Sequence, residues 1–201
     1  MSNSILCRPH AVTRLITDAT VEPVTLDEAQ QHLRVTDASD DEYISNLIKT
    51  ARLHCERETN RSFITTTWRL SLDYFPGVIY PRKPPLISVS SITYYDTTGA
   101  SQTLSSTYYT VDANSEPGRI TEAYGYQWPS TYSRVGAVTV NYTAGYGAAA
   151  SSVPLPIKQA MLLLIGHWFE MRSAVLIGSL SKSLEFAVES LLAPYVIPEY
   201  A

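Results

Sequence analysis

The chain has 201 residues, 45% of them hydrophobic, and a formal charge of only −4, which suits one sizeable core and argues against disorder. Mild acidity excludes a dense cationic surface for gripping nucleic acid, and no block of like charge provides a polyelectrolyte tail. The opening lacks a basic segment followed by an apolar stretch, and the longest apolar run, 160–165, is far below the ~20 residues of a membrane span. The expectation is a soluble protein made inside a cell, with Cys7 and Cys55 as unpaired thiols rather than a disulfide.

Residues 1–24 show no periodicity and read as an extended arm. In "VTLDEAQQHLRV", Thr25 and Glu28 have capping-box spacing, and Leu26, Ala29 and Leu33 recur at helical intervals, predicting a helix over about 25–33. A longer helix is predicted over about 40–59. Its apolar stripe is Tyr43, Ile44, Leu47, Ile48, Ala51 and Cys55. Asp40, Asp41 and Glu42 at its start, and Arg52, Arg57 and Arg61 toward its end, complement the helix dipole, and Asn60 is a left-handed stop.

From residue 62 the grammar becomes that of strands. "TTTWRLSLDYF" alternates, with Trp68, Leu70 and Leu72 opposite Arg69, Ser71 and Asp73. Further strands are expected at 86–96, 102–104, 108–112, 118–122 and 137–143, divided by prolines and turn-rich stretches. Pro154 and Pro156 then open a helix whose stripe is Ile157, Ala160, Met161, Leu164, Ile165 and Trp168. Residues 173–182 read as a loop. "SLEFAVESLLAPY" forms the last helix, ended by Pro194. The fold class is α+β: a helical core from 25–61 and 153–193, a mostly antiparallel β region inserted at 62–147, and a tail at 194–201.

Several chemical readings compete with structural ones. Gly145, Gly147 and Ala150 fit G-x-G-x-x-G/A after a strand, but a dinucleotide site needs the helix N-terminus directly behind the glycines, and "AASSVPLP" delays it. His167 and Glu170 lie one turn apart, yet zinc needs three or four ligands and His10, His32 and His54 are scattered. His54 and Cys55 are adjacent and point to different helix faces. The Asp40/Asp41 pair opens a helix, where carboxylates cap. With no nucleophile-elbow, metalloprotease or phosphate-loop pattern either, no enzyme, cofactor or metal site is expected. The fourteen tyrosines, including Tyr94, Tyr95, Tyr108, Tyr109, Tyr124, Tyr126, Tyr132, Tyr142 and Tyr146, suit either β propensity or a protein–protein interface.

In this order the segments "VTLDEAQQHLRV", "DDEYISNLIKTARLHCERETNR", "TWRLSLDYFP", "PRKPPLISVSSITYYD", "YYTVD…PGRI", "VTVNYTAGYG…VPLPIKQAMLLLIGHWFEMRSAV" and "VESLLAPYVI" resemble the head–tail connector (adaptor, neck) proteins of tailed bacterial viruses. The resemblance implies a structural virion protein made in the host bacterial cytoplasm. It would form a cyclic, typically twelve-fold ring that docks on the portal, joins the next neck or tail protein (a stopper or tail terminator), and passes double-stranded DNA through its channel. It assigns the C-terminal segment, Pro194, Tyr195, Val196, Ile197, Pro198 and Tyr200, to portal contact. Leu47, Ile48, Leu164, Trp168 and Leu191 are assigned to core or ring packing. The alternative is a monomeric β-rich phage accessory or binding module, tail-terminator-like.

Overall fold

The computed structural model describes residues 10–171 and 182–198, so Cys7, Tyr200 and most of the loop expected at 173–182 lie outside the described residues. The chain divides into two compact units, one of residues 1–18 and 66–145, the other of 19–65 and 146–201. The fold is α+β, with the helices in one unit and the sheets in the other.

The helical unit begins at α1 (Leu26–Leu33), where Thr25 and Glu28 form the reciprocal capping box that their spacing predicts. α2 (Asp41–Thr59) ends at Asn60 in the left-handed conformation, with its N–H returning to the Glu56 and Arg57 carbonyls. α3 (Leu155–Glu170) has Pro156 in its first turn, and α4 (Lys182–Leu192) runs into a short 3-10 turn, Ala193–Tyr195. Ile44, Leu47, Ile48, Ala51 and Cys55 of α2 meet Ile157, Met161, Leu164 and Ile165 of α3 in one buried cluster, to which α4 adds Val188 and Leu192. Leu191 and Trp168 are partly buried at its margin.

Arg52 departs from the expected role of dipole partner. It is 1% exposed; its Nε donates to Glu22 Oε2 at 2.8 Å and its Nη1 to Glu56 Oε2 at 3.2 Å. The other oxygen of Glu56 accepts from the Phe63 N–H at 2.8 Å, so the cation is tied to the segment leaving α2. A buried charge needs such partners to avoid a large desolvation cost.

In the β unit, residues 11–17, expected as arm, are strand β1 (Ala11–Thr17). Local sequence hides it because β1 is defined by a partner far along the chain: it pairs antiparallel with β2 (Thr66–Leu72). With β4 (Leu86–Tyr95), β5 (Ser101–Leu104) and β8 (Val138–Ala144) these form one antiparallel sheet in the order β1-β2-β8-β4-β5. A second sheet, β3-β7-β6, comprises β3 (Val78–Ile79), which the sequence pattern does not announce, β6 (Tyr109–Asp112) and β7 (Arg119–Glu122). Leu70, Leu72, Ile92, Val138, Val140 and Tyr142 point into the core with Ile79 and Ile120 of the second sheet.

The opposite face of the five-stranded sheet is polar. Across three strands Arg69 Nε donates to Asn141 Oδ1 at 3.0 Å and Asn141 Nδ2 donates to Ser91 Oγ at 2.9 Å, while Ser88 and Thr143 share a hydroxyl contact of 2.8 Å. The abundant hydroxyls of the strands thus satisfy one another on the outer face, as period-two alternation requires.

Candidate interaction surfaces

The glycines that imitate a nucleotide fingerprint are committed to the fold. The Gly145 N–H donates to the Pro85 carbonyl at 2.9 Å, and the Gly147 carbonyl accepts from Thr65 N–H at 3.0 Å. A Cβ on Gly147 would lie 2.5 Å from Ser152 Oγ, so glycine serves close packing there. The Gly145 N–H, one that a pyrophosphate would use, is thus already taken within the chain.

His54 packs edge-on against Trp168, with ring centroids 6.0 Å apart, and His167 accepts the Met171 N–H on its carbonyl at the end of α3. No group of three or more His, Cys, Asp and Glu suited to a metal occurs among the described residues. Cys55 is buried; burial, then Glu58 and Glu56, push its thiol up to about 12, making it a poor nucleophile. No described helix is long and apolar enough to cross a membrane.

What the fold does present is three surfaces. The first is the C-terminal end of the helical unit. The segment after α4 is bound to the end of α2: Ile197 N–H donates to the Thr59 carbonyl at 3.0 Å, and Asn60 Nδ2 to the Ile197 carbonyl at 3.0 Å. Arg61 Nε donates to the Tyr195 carbonyl at 2.6 Å. The left-handed turn at Asn60 therefore ends α2 and also anchors the tail. Pro194, Val196 and Pro198 are exposed, whereas Tyr195 and Ile197 are half-buried. Of the residues assigned to portal contact by resemblance, two are thus largely committed to the unit itself. Beside them lies a groove of about 350 Å³ with an apolar floor of Leu164, Val188, Leu192, Ala193 and Val196 and an edge of His54, Glu58, Glu185 and Glu189.

The second surface is aromatic and belongs to the β unit. Phe75 stacks on Trp128 at 4.8 Å with ring planes 5° apart, and Tyr94 meets Phe75 edge-on at 5.7 Å. Tyr108 and Tyr126 form a T-shaped pair at 4.7 Å, and Arg134 sits 4.0 Å over the Tyr95 ring. Tyr124 is fully exposed and Tyr132 half-exposed. Tyr142, by contrast, is a core residue whose hydroxyl donates to the Arg82 carbonyl at 2.8 Å. The tyrosine excess therefore has both origins, packing and surface.

The third is the β1 margin of the large sheet. Arg14 and Arg69 are directly opposite in the β1–β2 register, so two cationic side chains leave the sheet as cross-strand neighbours. Val12 and Ile16, 50% and 45% exposed, flank them.

Residues 23–117, from just before α1 to just before β7, match the family model of phage gp6-like head-tail connector proteins, so the resemblance seen in the sequence is shown. No curated protein matches. Among solved structures, the chain is similar to one in "Neck of empty GTA particle computed with C6 symmetry", with a TM-score of 0.76 and 21% identity, covering 94% of this chain and 97% of that one. A chain in "Virion of native gene transfer agent (GTA) particle" gives the same values, and one in "Neck of native GTA particle computed with C12 symmetry" gives 0.71 and 22% over the same shares. At this identity the likeness is one of fold, and it extends over nearly the whole of both chains.

Proposed function

We propose that this chain, with its connector-family match over residues 23–117 and its neck-protein fold, is a structural ring subunit of a virion neck. The ring joins capsid to tail, docks on the portal, presents a platform to the next neck or tail protein, and passes double-stranded DNA through its channel. The observation that carries the reading is the coincidence of two independent likenesses: a family match in sequence, and a fold match spanning 94% of the chain and 97% of its counterpart in a rotationally symmetric neck. The glycines and the buried thiol bear no chemistry in this reading; the protein acts by contact. Mild acidity suits a channel through which DNA slides, because few cations means few phosphate contacts.

Portal contact is assigned to the exposed positions Pro194, Val196 and Pro198 on the anchored tail, where neighbouring backbone hydrogen bonds hold them in place. Co-assembly with the cognate portal, followed by electron microscopy, tests the reading. A ring coaxial with the portal is expected; a chain that stays monomeric both alone and with the portal overturns it and favours the accessory-module alternative. Val196→Asp tests the contact more cleanly than removing 194–201, which also strips the Tyr195 and Ile197 anchors. It is expected to leave the fold intact and weaken portal binding by about tenfold or more.

A further inference from the structure

Like charges directly opposite on a sheet are destabilising, so a pair of facing arginines calls for an acceptor. Arg14 and Arg69 form such a pair in the β1–β2 register. Their Cβ atoms stand about 5 Å apart, as cross-strand neighbours do. Arg69 donates to the neutral Asn141, and neither guanidinium has a carboxylate partner among the described residues. Both point to the outer face, because their neighbours Thr13 and Leu70 occupy the core-facing positions of the same register. Val12 and the bulge residue Ile16 keep this margin apolar, and β1 is the terminal strand of its sheet. Exposed Val and Ile beside Arg give this margin the apolar and cationic components of a protein interface.

The helical unit carries the complementary pattern. On α4 the buried face is Val188 and Leu192; the outward face has Phe186, 72% exposed, with Glu189, and Glu185 is exposed beside it. A large exposed aromatic beside two carboxylates one turn apart is an anchor without a socket. Neither glutamate has an ion-pair partner among the described residues.

We infer that the β1 margin of one copy (Val12, Arg14, Ile16, Arg69) docks on the outward face of α4 of a second copy (Glu185, Phe186, Glu189). The two guanidiniums meet the two carboxylates, and Phe186 packs between the apolar side chains. The contact joins different surfaces of identical chains, so it is heterologous and propagates head to tail until a ring closes. The inference rests on the proposed ring and names its subunit interface.

The charge pattern supplies a decisive experiment. One variant carries Arg14→Glu and Arg69→Glu, the other Glu185→Arg and Glu189→Arg. Each alone faces like charge at every junction, and its self-association is expected to weaken by at least about a hundredfold, measured by sedimentation and light scattering. Mixed one to one, every junction of an alternating ring again pairs opposite charges, and the assembled mass is expected to return. Circular dichroism and thermal melts of each variant separate loss of assembly from loss of fold. Full assembly of either variant alone, or folded variants whose mixture does not recover, overturns the interface while leaving the ring reading standing. A wild-type chain that is monomeric alone and with its portal overturns both.

Discussion

The two units solve the same problem, burying a core, with opposite uses of polar groups. The helical unit takes charge inside: Arg52 is enclosed by Glu22 and Glu56, and the Phe63 N–H completes the arrangement. The β unit keeps charge at its margins, as at Asp96 and Asp112, and fills its interior with apolar side chains and a few neutral hydroxyls, those of Tyr142, Thr66 and Thr13 among them. The difference follows from secondary structure. Strands segregate polar and apolar residues by alternation, so a sheet can be sorted into two faces without compromise. A helix packed by several neighbours has more than one buried stripe, and a long polar side chain on it must find partners there.

The sharpest way to break the contrast is to remove the buried cation. Arg52→Ala leaves Glu22 and Glu56 without their shared donor, and it is expected to destabilise the helical unit by about 3–5 kcal/mol. Hydrogen exchange read segment by segment should show the loss in α2 and α3, with β2 and β8 spared. Equal loss in both units would mean that they unfold together and that the contrast has no thermodynamic meaning.

The counterpart in the β unit is steric. A Cβ on Gly118 would lie 2.6 Å from Leu86 Cβ and 3.2 Å from the Asp112 carbonyl oxygen. Neither neighbour is the far end of a flexible chain. Gly118→Ala is expected to cost about 1–3 kcal/mol, with the exchange protection of β4, β6 and β7 reduced first. An unchanged melting temperature would show that the two sheets can separate without penalty.

How much of this was readable in the sequence depends on the range of each interaction. The capping box at Thr25 and Glu28, the left-handed Asn60, and the alternation that defines β2 and β8 are local signals, and each appears at the predicted position. The connector resemblance was readable because it rests on the order of such segments. β1 and the two-residue β3 were not, because an edge strand or a short strand exists only through a partner tens of residues away. The same limit applies to the surfaces. Arg52 looked like a charge for the helix dipole because nothing in its own turn points to Glu22. The facing of Arg14 and Arg69 likewise needs the register of two strands 55 residues apart, a spacing no periodicity encodes.

The capping box is a smaller lever on the helical unit, and it sharpens the comparison from within. Thr25 Oγ1 accepts the Glu28 N–H, while Glu28 Oε2 accepts the Thr25 N–H at 2.8 Å and its Oε1 accepts from Lys158 Nζ at 2.6 Å. One carboxylate thus starts α1 and ties it to α3. Thr25→Ala is expected to cost about 1 kcal/mol. Thr25→Ala leaves the Glu28–Lys158 contact in place and should perturb exchange in α1 alone, whereas Glu28→Gln should perturb it in both α1 and α3.

Acid acts on the β unit at two particular places. Hydrogen bonds from Thr98, then Gln102, bring Asp96 down to about 2 although desolvation opposes them; Ser115, then Arg119, bring Asp112 to about 2 against the same opposition. A carboxyl whose folded value lies below its unfolded value favours the folded state while it is ionised. That contribution is complete above about pH 4, where the unfolded chain is also ionised, and it fades as pH falls toward 2. Asp96 sits in the turn between β4 and β5, and Asp112 ends β6, where it receives the hydrogen bonds of the turn leading to β7. Acid titration followed by exchange should therefore loosen these two turns together between pH 4 and 2. Asp96→Asn combined with Asp112→Asn should flatten that response while leaving the neutral-pH fold in place. A double variant with an unaltered acid profile would show that the turns are held by backbone geometry and that their ionised carboxylates contribute nothing measurable.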